Sequence, residues 1–340
     1  MEKIAFWNNK GGTGKTSLAF QTICAYANNK PNEKVLVIDV CPQANLSELF
    51  LGGLENRGAE NLLKRQGETL RATIGGYFQL RLSLPFSKPV FVSEDFLTHP
   101  NDFNNQIPTN IDILCGDPIL ELQSNGMNTL ANTQLAGVNT WIGVIDWLED
   151  FVENLNTEYN VVFFDTNPSF SMYTQIALST SDKMILPVMA DDSSKRAIQN
   201  VFSLVYGIKL PSEIYAQHAF AERLKNAKRN LPMVHLVIKN RITQYMVAAA
   251  SAYEVVLKAI ENEVSAIIEN YSQFITFNNK DVGIAEVRDF NTAGVVSTAR
   301  GCPFYALNSA SYTVLGKRVQ VKAEQIKLCV EAINNIANKI

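Results

Sequence analysis

The segment from Asn8 to Thr16 reads N-N-K-G-G-T-G-K-T, and its residue types suit a phosphate chain. Gly11, Gly12 and Gly14, with Thr13 between them, can turn successive backbone N–H groups inward around phosphate oxygens. Lys15 supplies a charge for the β- and γ-phosphates, and the Thr16 hydroxyl is a ligand for magnesium. ATP with Mg2+ is therefore the expected cofactor pair. The general P-loop pattern wants glycine at position 9. This chain has Asn9 there, a residue that tolerates left-handed backbone better than most, and adds a second lysine, Lys10, before the glycines.

Two apolar runs end in carboxylates: V-L-V-I-D at Asp39 and V-V-F-F-D at Asp165. Open α/β sheets bind ligands outside the carboxyl ends of their strands, which places Asp39 toward the phosphates. Asp165 stands before a helical run that it could instead cap.

Strands and a helix must carry these groups. The glycine loop is preceded by an apolar run, Ile4 to Trp7, and followed by the helical run S-L-A-F-Q-T-I-C-A-Y-A, so the helix N-terminus adds its dipole to the phosphate cradle. Further apolar runs of strand length span Val35 to Val40, Ile111 to Cys115, Val161 to Phe164, Met184 to Val188 and Val234 to Ile238. They are continuous rather than alternating and are separated by helical stretches, which predicts an α/β fold with a mostly parallel sheet flanked by helices. Between Gly52 and Pro108 the pattern loosens, so one domain over 1–340 is expected, with an insertion at about 53–110 and a helical tail at about 305–340. Phe274 to Phe277 reads as the last strand, followed by an irregular segment through Arg300.

Lys10, the glycines, Lys15 and Thr16 together resemble the deviant Walker A motif of the ParA/MinD ATPases, and the resemblance spans about 3–55 and 111–310. It implies a face-to-face homodimer in the ATP-bound state, with Lys10 reaching the partner's phosphates as an arginine finger does; Lys10, Lys15 and Asp39 are then the catalytic candidates. The segment D-V-C-P-Q-A-N resembles the family's D-x-D-P-Q-x-N, in which Asp39, Pro42, Gln43 and Asn45 match but Cys41 replaces the aspartate that positions the attacking water. A thiol orients water poorly, which leaves three readings: slow turnover with Asp39 or another group in that role, a switch that hardly hydrolyses, or redox control through Cys41. D-T-N-P-S resembles the Walker B-like D-T-P-P-S, so the implied metal set is Thr16, Asp39 and Asp165. Asn240, in K-N-R after the run Val234 to Ile238, matches an asparagine that related ATPases place against adenine; it could equally serve a turn.

Within the family, ParA proteins bind DNA without sequence preference as ATP dimers and work with a centromere-binding adaptor of the ParB type, whereas MinD proteins bind membrane through a C-terminal amphipathic helix. A net charge of -3 restricts polyanion contacts to local patches. Arg223, Lys225, Lys228 and Arg229 form one such cluster; Arg288, Arg300, Lys317 and Arg318 lie later. Ile326, Val330, Ile333 and Ile336 recur at helical spacing in a tail that lacks the aromatics and dense cations of an interfacial anchor, which favours a closing helix on the core. The five cysteines show no C-x-x-C spacing, consistent with a reducing cytoplasm and unlike the paired ligands of cluster-bearing reductases of this fold, although inter-subunit pairs stay open. No window reaches the about 20 apolar residues of a membrane span, and the start of the chain has no leader pattern. The expectation is a cytoplasmic, nucleoid-associated partition ATPase, with a MinD-like membrane ATPase as the second reading.

Overall fold

Central strands buried on both faces lose the polar alternation that marks a half-exposed sheet. In the computed structural model, which describes residues 1–189, 191, 193–210, 212–242 and 250–340, the runs VLVIDV and VVFFDT are buried at every position. They become β2 (Val35–Val40) and β5 (Val161–Thr166), at the centre of an eight-stranded sheet. The other strands are β1 (Glu2–Phe6), β3 (Leu97–Thr98), β4 (Ile111–Leu114), β6 (Lys183–Met189), β7 (Met233–Ile242) and β8 (Ile284–Arg288). Their order is β3-β4-β2-β5-β1-β6-β7-β8, parallel throughout except for the short edge strand β3. The α/β architecture with helices on both faces is the one expected.

Each face of the sheet has its own apolar core. One gathers Trp7, Tyr77, Phe78, Trp147, Phe151 and Ile176; the other gathers Phe20, Ile23, Phe50, Phe163 and Ile333. Fully burying each such side chain stabilises the fold by about 1.5–3 kcal/mol. Helix α1 (Lys15–Asn29) crosses the second face and packs against the C-terminal helix Ala323–Ala337, which buries Cys329, Ile333 and Ile336.

The loosely patterned segment 53–110 holds the helices Gly58–Gln66 and Ile74–Ser83 besides β3. It is anchored by aromatic packing: the Tyr77 ring lies 4.9 Å from Phe151 and 5.8 Å from Phe96. Three sequence expectations fail near the end of the chain. Phe274 to Phe277 is not a strand: the 3-10 turn Ser272–Phe274 ends at its first residue, Ile275 makes one isolated bridge to Val234, and Ile275 and Phe277 are buried. The last strand of the eight-stranded sheet is β8, inside the segment read as irregular. It is an edge strand whose buried and exposed residues alternate, so it lacks the continuous apolar signal. The helical tail likewise begins only at Ala323, after a hairpin of β9 (Ser311–Val314) and β10 (Lys317–Gln320).

Candidate nucleotide site

At the carboxyl edge of β1 the chain is pinned before it turns. The buried Asn8 donates its side-chain amide to Pro187 O at 2.7 Å, and its Oδ1 accepts the Lys10 N–H at 3.0 Å. Gly12 and Gly14 then take φ of 75° and 77°. Gly14 is the N-cap of α1, which has no capping side chain and no acidic residue in its first turn, so its N-terminal N–H groups and dipole face the loop uncompensated. On the other side, Asn240 at the end of β7 donates to Thr13 O at 2.8 Å.

This packing separates glycines that look equivalent in sequence. A Cβ on Gly14 would lie 2.3 Å from Asn240 Nδ2 at a φ that side chains rarely adopt, whereas a Cβ on Gly11 meets nothing within 4 Å. Gly14→Ala is therefore expected to lower the melting temperature and weaken nucleotide binding at least tenfold, the strain and the displaced Asn240 together costing about 1–3 kcal/mol. Gly11→Ala should change thermal stability by no more than about 0.5 kcal/mol. Thermal unfolding and nucleotide titration of the pair measure both.

The carboxylates come together as their strand positions require. Asp39 and Asp165 are register partners on β2 and β5, and both are fully buried. The Thr16 hydroxyl donates to Asp165 Oδ2 at 2.9 Å, while Asp165 Oδ1 is buried with no hydrogen-bond partner. Asp39 is satisfied within its own turn: Oδ1 accepts the Cys41 N–H at 3.1 Å, and Oδ2 accepts the Ser47 N–H at 2.9 Å and the Ser47 hydroxyl at 2.7 Å. Burial pushes both acids above the usual carboxylate range. The neighbouring Asp165 charge adds to the rise at Asp39, and Lys15 opposes it at Asp165. Two buried acids beside a lysine and a hydroxyl, one with an orphaned oxygen, are a donor set for a hard divalent cation. Thr16 and Asp165 fit magnesium directly. Asp39, already holding three protein donors, fits it less directly than the sequence suggested.

Cys41 is buried next to these acids, and burial first, then Asp39 and Asp165, push its thiol up to about 12. A thiol held neutral at pH 7 is neither a water-orienting base nor an oxidation-prone thiolate, which counts against the redox reading.

Lys10 does not project freely from the loop. Its ammonium is bonded to the Asp191 carboxylate and the Ser193 hydroxyl, just past the carboxyl end of β6. Burial alone would raise the Asp191 pKa, but the bonds from Lys10 and Ser193 outweigh it and lower it. These partners, and Ser47, were missed from sequence. Asp191 lies 181 residues from Lys10, and the one available signal is its place after a strand whose carboxyl end faces the ligand edge.

The cations proposed for DNA fall into two groups at opposite edges of the sheet. Arg223, Lys225, Lys228 and Arg229 precede β7 at the amino edge, where Arg229 pairs with Asp146 at 2.6 Å and Arg223 stacks over Trp141 and bonds Asn132. Lys225 and Lys228 border an open cavity there with Lys3. Arg288 ends β8 at the carboxyl edge, Arg300 stacks over Tyr312, and Lys317 and Arg318 lie on the exposed hairpin. No single surface unites all eight residues. Among the described residues no helix is long and apolar enough to cross a membrane.

A parallel sheet with a glycine loop opening α1, a threonine bonded to a strand-end aspartate and a lysine ahead of the glycines defines a P-loop nucleotide-binding protein of the ParA/MinD type. A family model described as an AAA domain matches residues 1–217, and the chain belongs to that family. It is 28% identical over 192 residues to the chromosome-partitioning ATPase Soj of Thermus thermophilus, covering 56% of each chain. To the cell division protein PomZ of Myxococcus xanthus it is 27% identical over 216 residues, covering 63% of this chain and 54% of PomZ. The chain thus spans little more than half the length of these curated relatives. Among solved structures, a Cyanothece McdA variant in complex with ATP superposes with a TM-score of 0.63 at 15% identity, covering 100% of this chain and 97% of that one. A plasmid partition protein of Borrelia burgdorferi bound to AMPPNP gives 0.53 at 15% identity, with 99% and 98% covered. These likenesses concern the fold.

Proposed function

We propose that this chain is an ATP-dependent dimerising switch that binds DNA without sequence preference and segregates or positions plasmid or other cargo, with slow ATP hydrolysis. The observation that carries the reading is the Thr16–Asp165 bond with its orphaned carboxylate oxygen, beside a glycine loop that contains a second lysine. In this reading Gly11 to Thr16 hold the triphosphate. Thr16 and Asp165 hold magnesium, which would offset charge on the phosphates, and Asp39 orders the metal's surroundings. Lys10 leaves Asp191 to reach a partner subunit's nucleotide. Lys225 and Lys228 are the DNA contacts best supported, because neither has an acidic partner among the described residues. The similarity to Soj, a chromosome-partitioning ATPase, and to PomZ, a cell division protein, supports a positioning role; in this reading the chain works in the cytoplasm at the nucleoid, with a ParB-type adaptor as partner. The MinD-like alternative is weakened because the C-terminal helix already spends its apolar face on the core.

Size-exclusion chromatography and DNA-binding assays with ATP, with ADP and without nucleotide test this reading. ATP alone should give a dimer and DNA retention; indifference of both to nucleotide would sink it. Lys10→Ala should leave stability within about 1 kcal/mol, since the Lys10–Asp191 pair is half-exposed, yet abolish ATP-dependent dimerisation.

A further inference from the structure

Asp117, just past the carboxyl end of β4, is fully buried, and its charge is met from the insertion. Its carboxylate accepts two N–H bonds from the Arg71 guanidinium, at 2.5 and 2.7 Å, and the Thr73 hydroxyl at 2.6 Å. Arg71 lies between the inserted helices Gly58–Gln66 and Ile74–Ser83 and is itself tied to Gln66 O at 2.8 Å. The fit is close, since a Cβ on Gly75 would lie 2.5 Å from Asp117 Oδ2. The Ile74 N–H also donates to Cys115 O at 2.9 Å. A bidentate guanidinium fixes both the distance and the plane of its carboxylate. The insertion therefore holds the turn after β4 on both sides of Gly116.

Gly116 is where that turn meets Asp39. A Cβ at Gly116 would sit 2.9 Å from Asp39 Cγ and 2.9 Å from Asp39 Oδ2, so the glycine backbone closes one side of the carboxyl. The Gly116 N–H donates to Ser47 Oγ at 2.8 Å, and the same hydroxyl donates to Asp39 Oδ2 at 2.7 Å. A serine hydroxyl has one proton to give, and here it goes to Asp39. Ser47 is fully buried, so the contacts run unbroken through the interior from the insertion to the acid.

From this chain of contacts we propose that Ser47 and Arg71 are positioning residues for Asp39: Arg71 fixes Asp117, the turn fixes Gly116, and Gly116 with Ser47 holds the Asp39 carboxyl in one orientation beside Asp165. The proposal rests on the nucleotide reading above, in which Asp39 orders the surroundings of magnesium. Groups that orient a metal site from behind typically carry ten- to a hundredfold of its metal affinity or activity. The insertion then belongs to the nucleotide site although its residues touch no ligand.

The test is calorimetric titration of the full chain with ATP, once in magnesium and once in chelator, which gives the factor by which magnesium strengthens binding. Ser47→Ala removes the hydroxyl and leaves Asp39 its bonds from the Ser47 and Cys41 N–H groups. Arg71→Lys keeps a cation beside the buried Asp117 and loses the bidentate grip. Arg81→Lys is the control, because Arg81 anchors the same insertion through Asp150, away from Asp39. All three should lower the melting temperature of the empty protein. Only Ser47→Ala and Arg71→Lys should reduce the magnesium factor, by about tenfold, with ATP affinity in chelator unchanged within twofold. Phosphate release at saturating magnesium-ATP should fall by a similar factor in those two alone. A magnesium factor unchanged in Ser47→Ala or in Arg71→Lys overturns the role of that residue, and an equal loss in Arg81→Lys overturns the proposal as a whole. A wild type that binds no ATP, or whose binding magnesium does not strengthen, overturns the nucleotide reading instead.

Discussion

Asp165→Asn should raise the thermal stability of the nucleotide-free protein and abolish the stabilisation that magnesium and ATP add to the wild type. In the wild type, Asp165 and Asp39 face each other across neighbouring strands with both carboxyls buried, and Asp165 Oδ1 has no partner. An unpaired buried carboxylate is costlier than a buried amide, because the charge itself is desolvated. The asparagine can still accept from the Thr16 hydroxyl with its oxygen, so the 2.9 Å bond survives while the repulsion with Asp39 disappears. The expected gain without nucleotide is about 1–3 kcal/mol. A ligand at a hundred times its Kd would add about 2.7 kcal/mol to the wild type, and the variant should forfeit that increment. The sign with pH follows the same pair. The folded pKa of Asp39 lies above its unfolded value, at about 7, so the protonated acid is the form that folding favours. Its contribution is intact below the unfolded carboxylate pKa of about 3.9 and is lost as pH rises toward the folded value. Nucleotide-free wild type should therefore lose stability from this source between those limits, and Asp165→Asn should flatten the slope. Thermal unfolding against pH, with and without magnesium-ATP, measures all three effects. A variant that is less stable when empty and still stabilised by magnesium-ATP contradicts the assignment.

The parts of the site legible in sequence are those built from contiguous chain. The glycine loop, Lys15 and Thr16 lie within one turn of strand-to-helix backbone, and the continuous apolar runs ending in Asp39 and Asp165 announced both the strands and the edge to which they deliver their carboxylates. Contacts closed by the fold were not legible. Lys10 meets Asp191 across 181 residues, Ser47 reaches back to Asp39 through the turn into the short helix Asn45–Phe50, and Arg71 reaches Asp117 from the insertion. β8 escaped because an edge strand needs only one buried face, and the hairpin escaped because Leu315 stands where turn chemistry calls for a small polar residue. The functional weight of Asn240 also changed. Expected as a base contact or a turn residue, it is found tying the phosphate loop to β7 while bordering a cavity beside that loop.

Cys41→Asp should raise the rate of phosphate release from magnesium-ATP by about ten- to a hundredfold while lowering the melting temperature of the empty protein. In the ParA/MinD pattern this position carries the aspartate that orients attacking water, and a positioned general base contributes about 10²–10⁴ in rate. The buried thiol, with its pKa pushed up to about 12, supplies neither charge nor a good acceptor. The same surroundings fix the cost. A carboxylate at 41 would be the third in a buried cluster, beside Asp39 and Asp165, with Lys15 the nearby cation. Without a metal the repulsion should destabilise the fold by about 1–3 kcal/mol; magnesium should recover most of it, because the ion is attracted to the charge that was added. Rate and stability therefore move in opposite directions in one variant, and the stability defect should shrink on adding magnesium-ATP. Cys41→Ser separates the causes: it removes the thiol without adding charge, so it should leave the rate within about twofold. If Cys41→Asp binds magnesium-ATP normally and releases phosphate no faster than wild type, this chain positions its water by a group other than the residue at 41. The carboxylate not engaged by its own turn, Asp165, is then the next to examine.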